Sequence, residues 1–191
     1  MFLNNYWKAK AAMDTNPRTF WSNSQLRRGV LTGAKNTSGT STGMYIVTSY
    51  SSGIMSTTTI ANQAGIQDRL IGQGNSVKIA TGDSNISADD YIIAGTDITS
   101  DFSNLSITTT IGTENGGETY VCAIVGVYNG VNEVEVTKIG ITKTLDYISS
   151  AEVSGSTLTT TQFLMVEHEL TQPITLNNGD PLNIVLKVTQ A

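Results

Sequence analysis

The chain has 191 residues, 39% of them hydrophobic and only 14% charged, with a formal net charge of −5. Soluble monomers carry roughly 25% charged residues, so this surface, filled out with Ser, Thr, Asn and Gly, suits packing against neighbours better than life as a free cytosolic enzyme. The single cysteine, Cys122, excludes an intrachain disulfide and a cysteine-built zinc site.

Met1 to Lys8 show no basic leader followed by an apolar stretch, so no secretion signal is predicted. No run approaches the roughly 18 apolar residues of a membrane-spanning helix. The expectation is a chain made and folded in cytoplasm, with no membrane partner.

The amino-terminal region concentrates Phe2, Tyr6, Trp7, Phe20 and Trp21. Ala9, Ala11 and Ala12 are good helix formers, which predicts a short helix from about Asn5 to Met13. Asn16-Pro17 stops it, because the residue before proline is pushed out of the α region. Leu31 to Gly43 is polar and glycine-rich without periodicity, and reads as an extended or mobile connector. Large aromatics on such an arm suit pockets on another surface; the alternative is that they cap the chain's own β core. Charge is split as well. Lys8, Lys10, Arg18, Arg27, Arg28 and Lys35 oppose only Asp14, a local net of +5, and the remainder carries −10. A basic arm fits the acidic body of an adjacent copy. Direct DNA contact ranks lower, since no helix-turn-helix or zinc finger is present.

In the middle region Met44–Val47, Val77–Ala80 and Tyr91–Ala94 are strand-like. Thr59–Ile71 reads as a helix interrupted by Gly65 or as a loop with one helical turn. Asp83, Asp89, Asp90, Asp97 and Asp101 do not follow an EF-hand spacing and read as solvated turn residues.

From residue 105 the signal sharpens. Leu105, Ile107 and Ile111 alternate with polar residues, the pattern of a strand with one wet face. Thr119–Tyr128 is almost wholly apolar, which predicts a central strand covered on both faces. Asn129-Gly130 then turns the chain into Val134–Thr142, where the apolar phase slips and predicts a β-bulge near Thr137-Lys138. Ser149–Thr161 reads as an exposed loop, and Phe163–Leu170 begins a terminal strand pair. Asn178-Gly179 forms the tight turn of a final hairpin, because both residues reach positive φ cheaply. Pro173 and Pro181 fall at strand starts, where a missing donor is tolerated.

Catalytic chemistry finds little support. In a strand, Glu167 and Glu169 share one face while His168, the only histidine, points to the other. Gly72-Gln73-Gly74 and Gly112–Gly117 lack a phosphate-loop context. No serine sits in a nucleophile elbow, and Cys122 in an apolar run reads as a buried, inert thiol. No catalytic residue, cofactor or metal is assigned, and the chain is read as non-enzymatic. A glycan hydrolase would need two carboxylates about 5–10 Å apart in a cleft.

Glu135–Lys143, Phe163–Leu170 and Pro173–Leu182 together resemble the carboxy-terminal region of small virion structural proteins of tailed bacteriophages. The likeness is limited to about residues 135–188, and the first 104 residues have no counterpart in it. It implies a neck, tail or capsid-associated building block in the virion, in contact with copies of itself and other virion proteins, as a homo-oligomer in a symmetric particle. The expected fold is mainly β: an antiparallel β-sandwich or jelly-roll-like domain over residues 44–191, with an extended, partly helical arm and connector over 1–43. Tyr6, Trp7, Phe20 and Trp21 are the expected arm anchors, with Arg18, Arg27 and Arg28 pairing to acidic groups. The alternative is a carbohydrate- or host-surface-binding module presenting Trp7 or Tyr147 to sugar.

Overall fold

The computed structural model describes residues 1–14, 19–22, 25–49, 70–72, 74–114, 117–148 and 159–189. Arg18 and nearly all of the Thr59–Ile71 and Ser149–Thr161 segments lie outside the described residues.

Helix α1 spans Asn4–Asp14, one residue longer at each end than its alanines predict. Leu3, Tyr6, Ala9 and Ala12 recur every three residues and are all buried, so one stripe faces the core. The helix lies against strands β2 (Gln25–Lys35) and β9 (Thr159–Leu176). Asn5 pins it there: its Nδ2 donates to the Lys35 carbonyl at 2.8 Å and the Leu164 carbonyl at 3.3 Å, and its Oδ1 accepts from the Lys35 N–H at 3.1 Å. A buried amide with its donors and acceptor engaged fixes orientation where a leucine would only fill space.

Among the described residues two antiparallel sheets form the body. The larger contains β1 (Thr19–Ser22), β2, β3 (Ser41–Ser49), β4 (Asn75–Thr81), the two-residue β5 (Thr96–Asp97), β8 (Val134–Ile148) and β9. The smaller has β7 (Gly117–Tyr128) between β6 (Phe102–Glu114) and β10 (Pro181–Thr189). Leu31 to Gly43, expected as a connector, is instead a hairpin. β2 and β3 pair through it, and Asn36 organises the turn by accepting from the Ser38 and Thr40 N–H groups. Such Asn-centred turns need no apolar periodicity, which is why composition alone mimics a linker. Tyr91–Ala94, expected as a strand, lies in the loop between β4 and β5, where Ile93 is buried.

β8 is the axis of the larger sheet. It pairs with β9 along one edge and with β4 and then β3 along the other. Every residue from Val136 to Thr142 is buried, including Thr137, Lys138 and Thr142. Their polar ends are satisfied by main chain: Thr137 Oγ1 and Lys138 Nζ donate to the Gly82 carbonyl, and Thr142 Oγ1 donates to the Ser76 carbonyl. The segment leading out of β4 thus covers the outer face of β8, and Ile93 packs over Gly140. The predicted irregularity near Thr137-Lys138 is present. One residue, Thr137, separates the paired positions on β8, whereas Leu170 to Pro173 separate them on β9.

β7 is central, but its burial alternates, so the expected double cover does not exist. Tyr120, Cys122, Ile124 and Tyr128 point inward, and Val121, Ala123 and Val125 are exposed. The inward residues share two apolar clusters with the larger sheet. One groups Tyr120, Cys122 and Leu186 with Phe163, Met165 and Tyr6 of α1; the other groups Ile124 and Leu182 with Ile79 and Ile139.

A turn forms at Asn178-Gly179, but of the two residues Gly179 alone takes positive φ, +88, and the Asp180 N–H donates to the Asn177 carbonyl. Its flanking strands are not a hairpin, however. β9 pairs with β8 in one sheet and β10 with β7 in the other, so the turn carries the chain between sheets. Residues 129–133 make the same transfer from β7 to β8. The two crossings are stitched together by Gly179 N–H to the Tyr128 carbonyl and Tyr128 N–H to the Asp180 carbonyl.

Candidate functional site

Two features stand apart from ordinary core and surface: an exposed aliphatic face on the smaller sheet, and a buried carboxylate under the β4–β5 loop. The aliphatic face was not singled out from sequence, and Glu167 was considered there only beside His168 and Glu169.

Cross-strand registers define the face. Thr110, Val121 and Lys187 form one row, Thr108, Ala123 and Val185 the next, and Ser106, Val125 and Asn183 a third. Val121 is 37% exposed, Val125 44% and Val185 72%. Hydroxyls flank the aliphatic centre on β6, and Lys187 is held by Glu114 in a 2.6 Å ion pair at one end. The sequence signal was the unbroken apolar run in β7, read as evidence of burial; it marks a sheet with more apolar surface than its own core uses.

The amino-terminal aromatics are divided. Phe2 and Tyr6 are buried in the chain's own core, stacked with centroids 4.2 Å apart, and Phe2 meets Tyr120 edge-on at 6.2 Å. Trp7 joins them edge-on, 5.1 Å from Tyr6, yet stays 40% exposed. Of the predicted anchors, Tyr6 therefore serves the chain's own core. Phe20 and Trp21 lie in edge strand β1, and Arg27 and Arg28 in β2.

The second feature centres on Glu167, completely buried in the run Phe163–Glu167, where every residue is inaccessible. A run buried on both phases means a strand covered on both faces, and that was the signal available in sequence. Oε1 accepts the Ala94 N–H at 2.7 Å, while Oε2 is buried without a partner among the described residues. Burial pushes this carboxyl up from 4.5 to about 7, reinforced by Asp90 and opposed by the Ala94 bond, Lys138 and the Met1 α-amino group. The α-amino group itself donates to the Glu167 carbonyl, and burial lowers its pKa.

The register opposes Glu167 to Gly140, His168 to Ile139 and Glu169 to Lys138. The imidazole thus lies on the opposite face from both carboxylates. Among the described residues no three His, Cys, Asp or Glu side chains gather as a metal set. Cys122 is buried, and burial raises its thiol pKa against a weak contact with Thr109. It should react with a disulfide reagent only on unfolding, so thiol labelling in native buffer is expected to be negligible and to become complete in denaturant.

A cleft of about 230 Å³ lies beside the covering loop, lined by Ile92, Ile93, Leu164, Gln162 and the 2.8 Å Lys78–Asp97 ion pair. No protein-family model, curated protein or solved structure matches the chain.

Proposed function

We propose that the protein is a non-enzymatic structural component of a tailed-bacteriophage virion, associated with its neck, tail or capsid, that assembles through subunit contacts. The observation that carries this reading is the aliphatic face of Val121, Ala123, Val125 and Val185 on a regular, well-paired sheet. Aliphatic surface at the centre of a rigid sheet gains free energy at about 25 cal/mol per Å² when another surface covers it. A hydroxyl and ion-paired margin is the polar rim such contacts use.

In this reading the two sheets act as a β-sandwich or jelly-roll-like body, supported by clusters that draw side chains from both. The larger sheet ends in edge strand β1, which with β2 carries Phe20, Trp21, Arg27 and Arg28 and offers a second contact to a neighbour. The partners are other copies of the chain and other virion proteins, and repetition in a symmetric particle makes individually weak contacts persistent. The resemblance over residues 135–188 and the low charge point the same way. The exposed Trp7 favours a second reading, a host-surface glycan-binding module; glycan binding abolished by Trp7→Ala would favour it over the first.

The test is association. Wild-type protein is expected to sediment as an oligomer at micromolar concentration, and antibodies against it to label purified particles. Val125→Asp with Val185→Asp should give a monomer with unchanged circular dichroism, because each position is solvent-facing in the free chain while a buried unpaired carboxylate opposes association. A wild-type monomer at all concentrations, with no labelling of particles, would remove the reading.

A further inference from the structure

The covering segment between β4 and β5 holds the outer face of β8 and β9 through few contacts. Its ends are fixed by the Gly82 carbonyl, which receives Thr137 and Lys138, and by the short β4–β5 ladder. The middle is fixed by the Ala88 carbonyl, which accepts from the Asn4 N–H at 2.7 Å, by Asp89 Oδ1, which accepts from Asn4 Nδ2 at 2.8 Å, and by Ala94 N–H on Glu167 Oε1. Lys138 also carries a charge at its contact, but Glu167 is the carboxyl among them that is fully buried with one oxygen lacking a partner among the described residues.

We propose that Glu167 is a proton-operated latch: in its neutral form it retains residues 90–95 over the outer face of the larger sheet, and on ionisation it releases them. The geometry gives the reason. An ionised carboxylate with one oxygen unpartnered and no access to water is costly, and the neutral acid is far less so. The main-chain bond to Oε1 favours the ionised form but serves only one of the two oxygens, so it does not remove the cost. Water reaching Oε2 does, and in this proposal it enters when the Ala94 segment, which holds the other oxygen of the same carboxyl, lifts away.

The charges that face the carboxyl do not neutralise it. Lys138 on β8 is committed to the Gly82 carbonyl. Across Gly140 in the same row lies Lys78 on β4, tied to Asp97 of β5. The Met1 α-amino group spends a proton on the Glu167 carbonyl, Asp90 of the covering segment adds repulsion, Glu169 shares the face of Glu167, and His168 faces the opposite side. Ile92 and Ile93, next to Ala94, line the adjoining cleft, so release of the latch opens that cleft as well.

The sign is fixed by linkage. The closed form has its carboxyl raised from 4.5 to about 7, so it binds the extra proton and is favoured at low pH. Closure weakens as pH rises from 4.5 through 7 and then levels off. Between pH 5.5 and 8.5 the open population is expected to rise about 30-fold.

The test is amide hydrogen exchange of residues 90–98 across that range, corrected for intrinsic exchange and referenced to the β6–β7 hairpin. Wild type should show the rise and Glu167→Gln should not, since glutamine keeps an oxygen for Ala94 and cannot ionise. Asp90→Asn should move the midpoint downward. Carboxyl ¹³C resonances of the wild-type protein provide a readout that no variant's misfolding can obscure. A Glu167 titration in the ordinary carboxylate range overturns the latch, as does one near 7 with exchange of residues 90–98 unchanged. Both readouts are taken on the isolated chain, so they are independent of whether it assembles.

Discussion

Removal of residues 1–12 is expected to leave a chain that no longer folds cooperatively, with loss of its β-sheet circular dichroism and of any urea transition. Those residues contribute Phe2, Leu3, Tyr6, Ala9 and Ala12 to the core and Asn5 to the junction of β2 with β9. The single substitution Tyr6→Ala should cost about 3–5 kcal/mol, the range for emptying a buried aromatic site. Whole domains have only about 5–15 kcal/mol in hand, so deletion of the full set exceeds what the body can lose. An arm that merely reached outward would come away with no effect. A truncated protein with an unchanged urea midpoint would restore that picture and sever the helix from the fold.

Gly95→Ala is the second large effect expected. Gly95 has φ +94, and a Cβ there would stand 2.3 Å from the Thr81 carbonyl oxygen, a main-chain atom that cannot swing aside. Left-handed strain and displacement of the β4–β5 pairing together cost about 3 kcal/mol. For a chain of this size that lowers the melting temperature by about 6–12 °C. Gly82→Ala is the control: its φ is +97, but nothing lies within 4 Å of the added methyl, so only the conformational penalty of about 1 kcal/mol applies. Equal melting temperatures for the two variants would show that the close approach at Thr81 does not constrain the loop.

Strands were legible wherever alternation or a two-phase apolar run marked them, as in β6, β9 and β10, and so was α1. Sheet membership was not. Asn-Gly reverses the chain equally well whether the strands beyond it pair, as expected for β9 and β10, or part into different sheets, as they do. What decides the matter is which inward faces can share a core, and Leu182 and Leu186 find theirs beside Ile124 and Cys122, far away in sequence. Exposure was misjudged for a related reason. β7 is apolar on a face that the described residues leave exposed, whereas β8 carries Thr137 and Lys138 on a face that is covered, their polar ends taken up by the Gly82 carbonyl. Residue type reports the wetness of a strand only when main-chain acceptors are absent. Tyr6 and Trp7 were both read as arm anchors, but on one helix Tyr6 is buried in the chain's own core and Trp7 stays exposed, a difference that only the seating of α1 determines.

The transfer of the chain out of the smaller sheet and back again sets the order in which the molecule can be built. β6 and β7 zip across a two-residue connection, whereas β10 joins β7 in a register that runs from Pro181 opposite Val127 to Thr189 opposite Thr119. Its partner edge must therefore wait while the whole β8–β9 ribbon is laid down. Closing loops of that span slows the search for the native state. A nascent intermediate would present the open flank of β7, a row of unmatched amides and carbonyls, to any neighbouring copy.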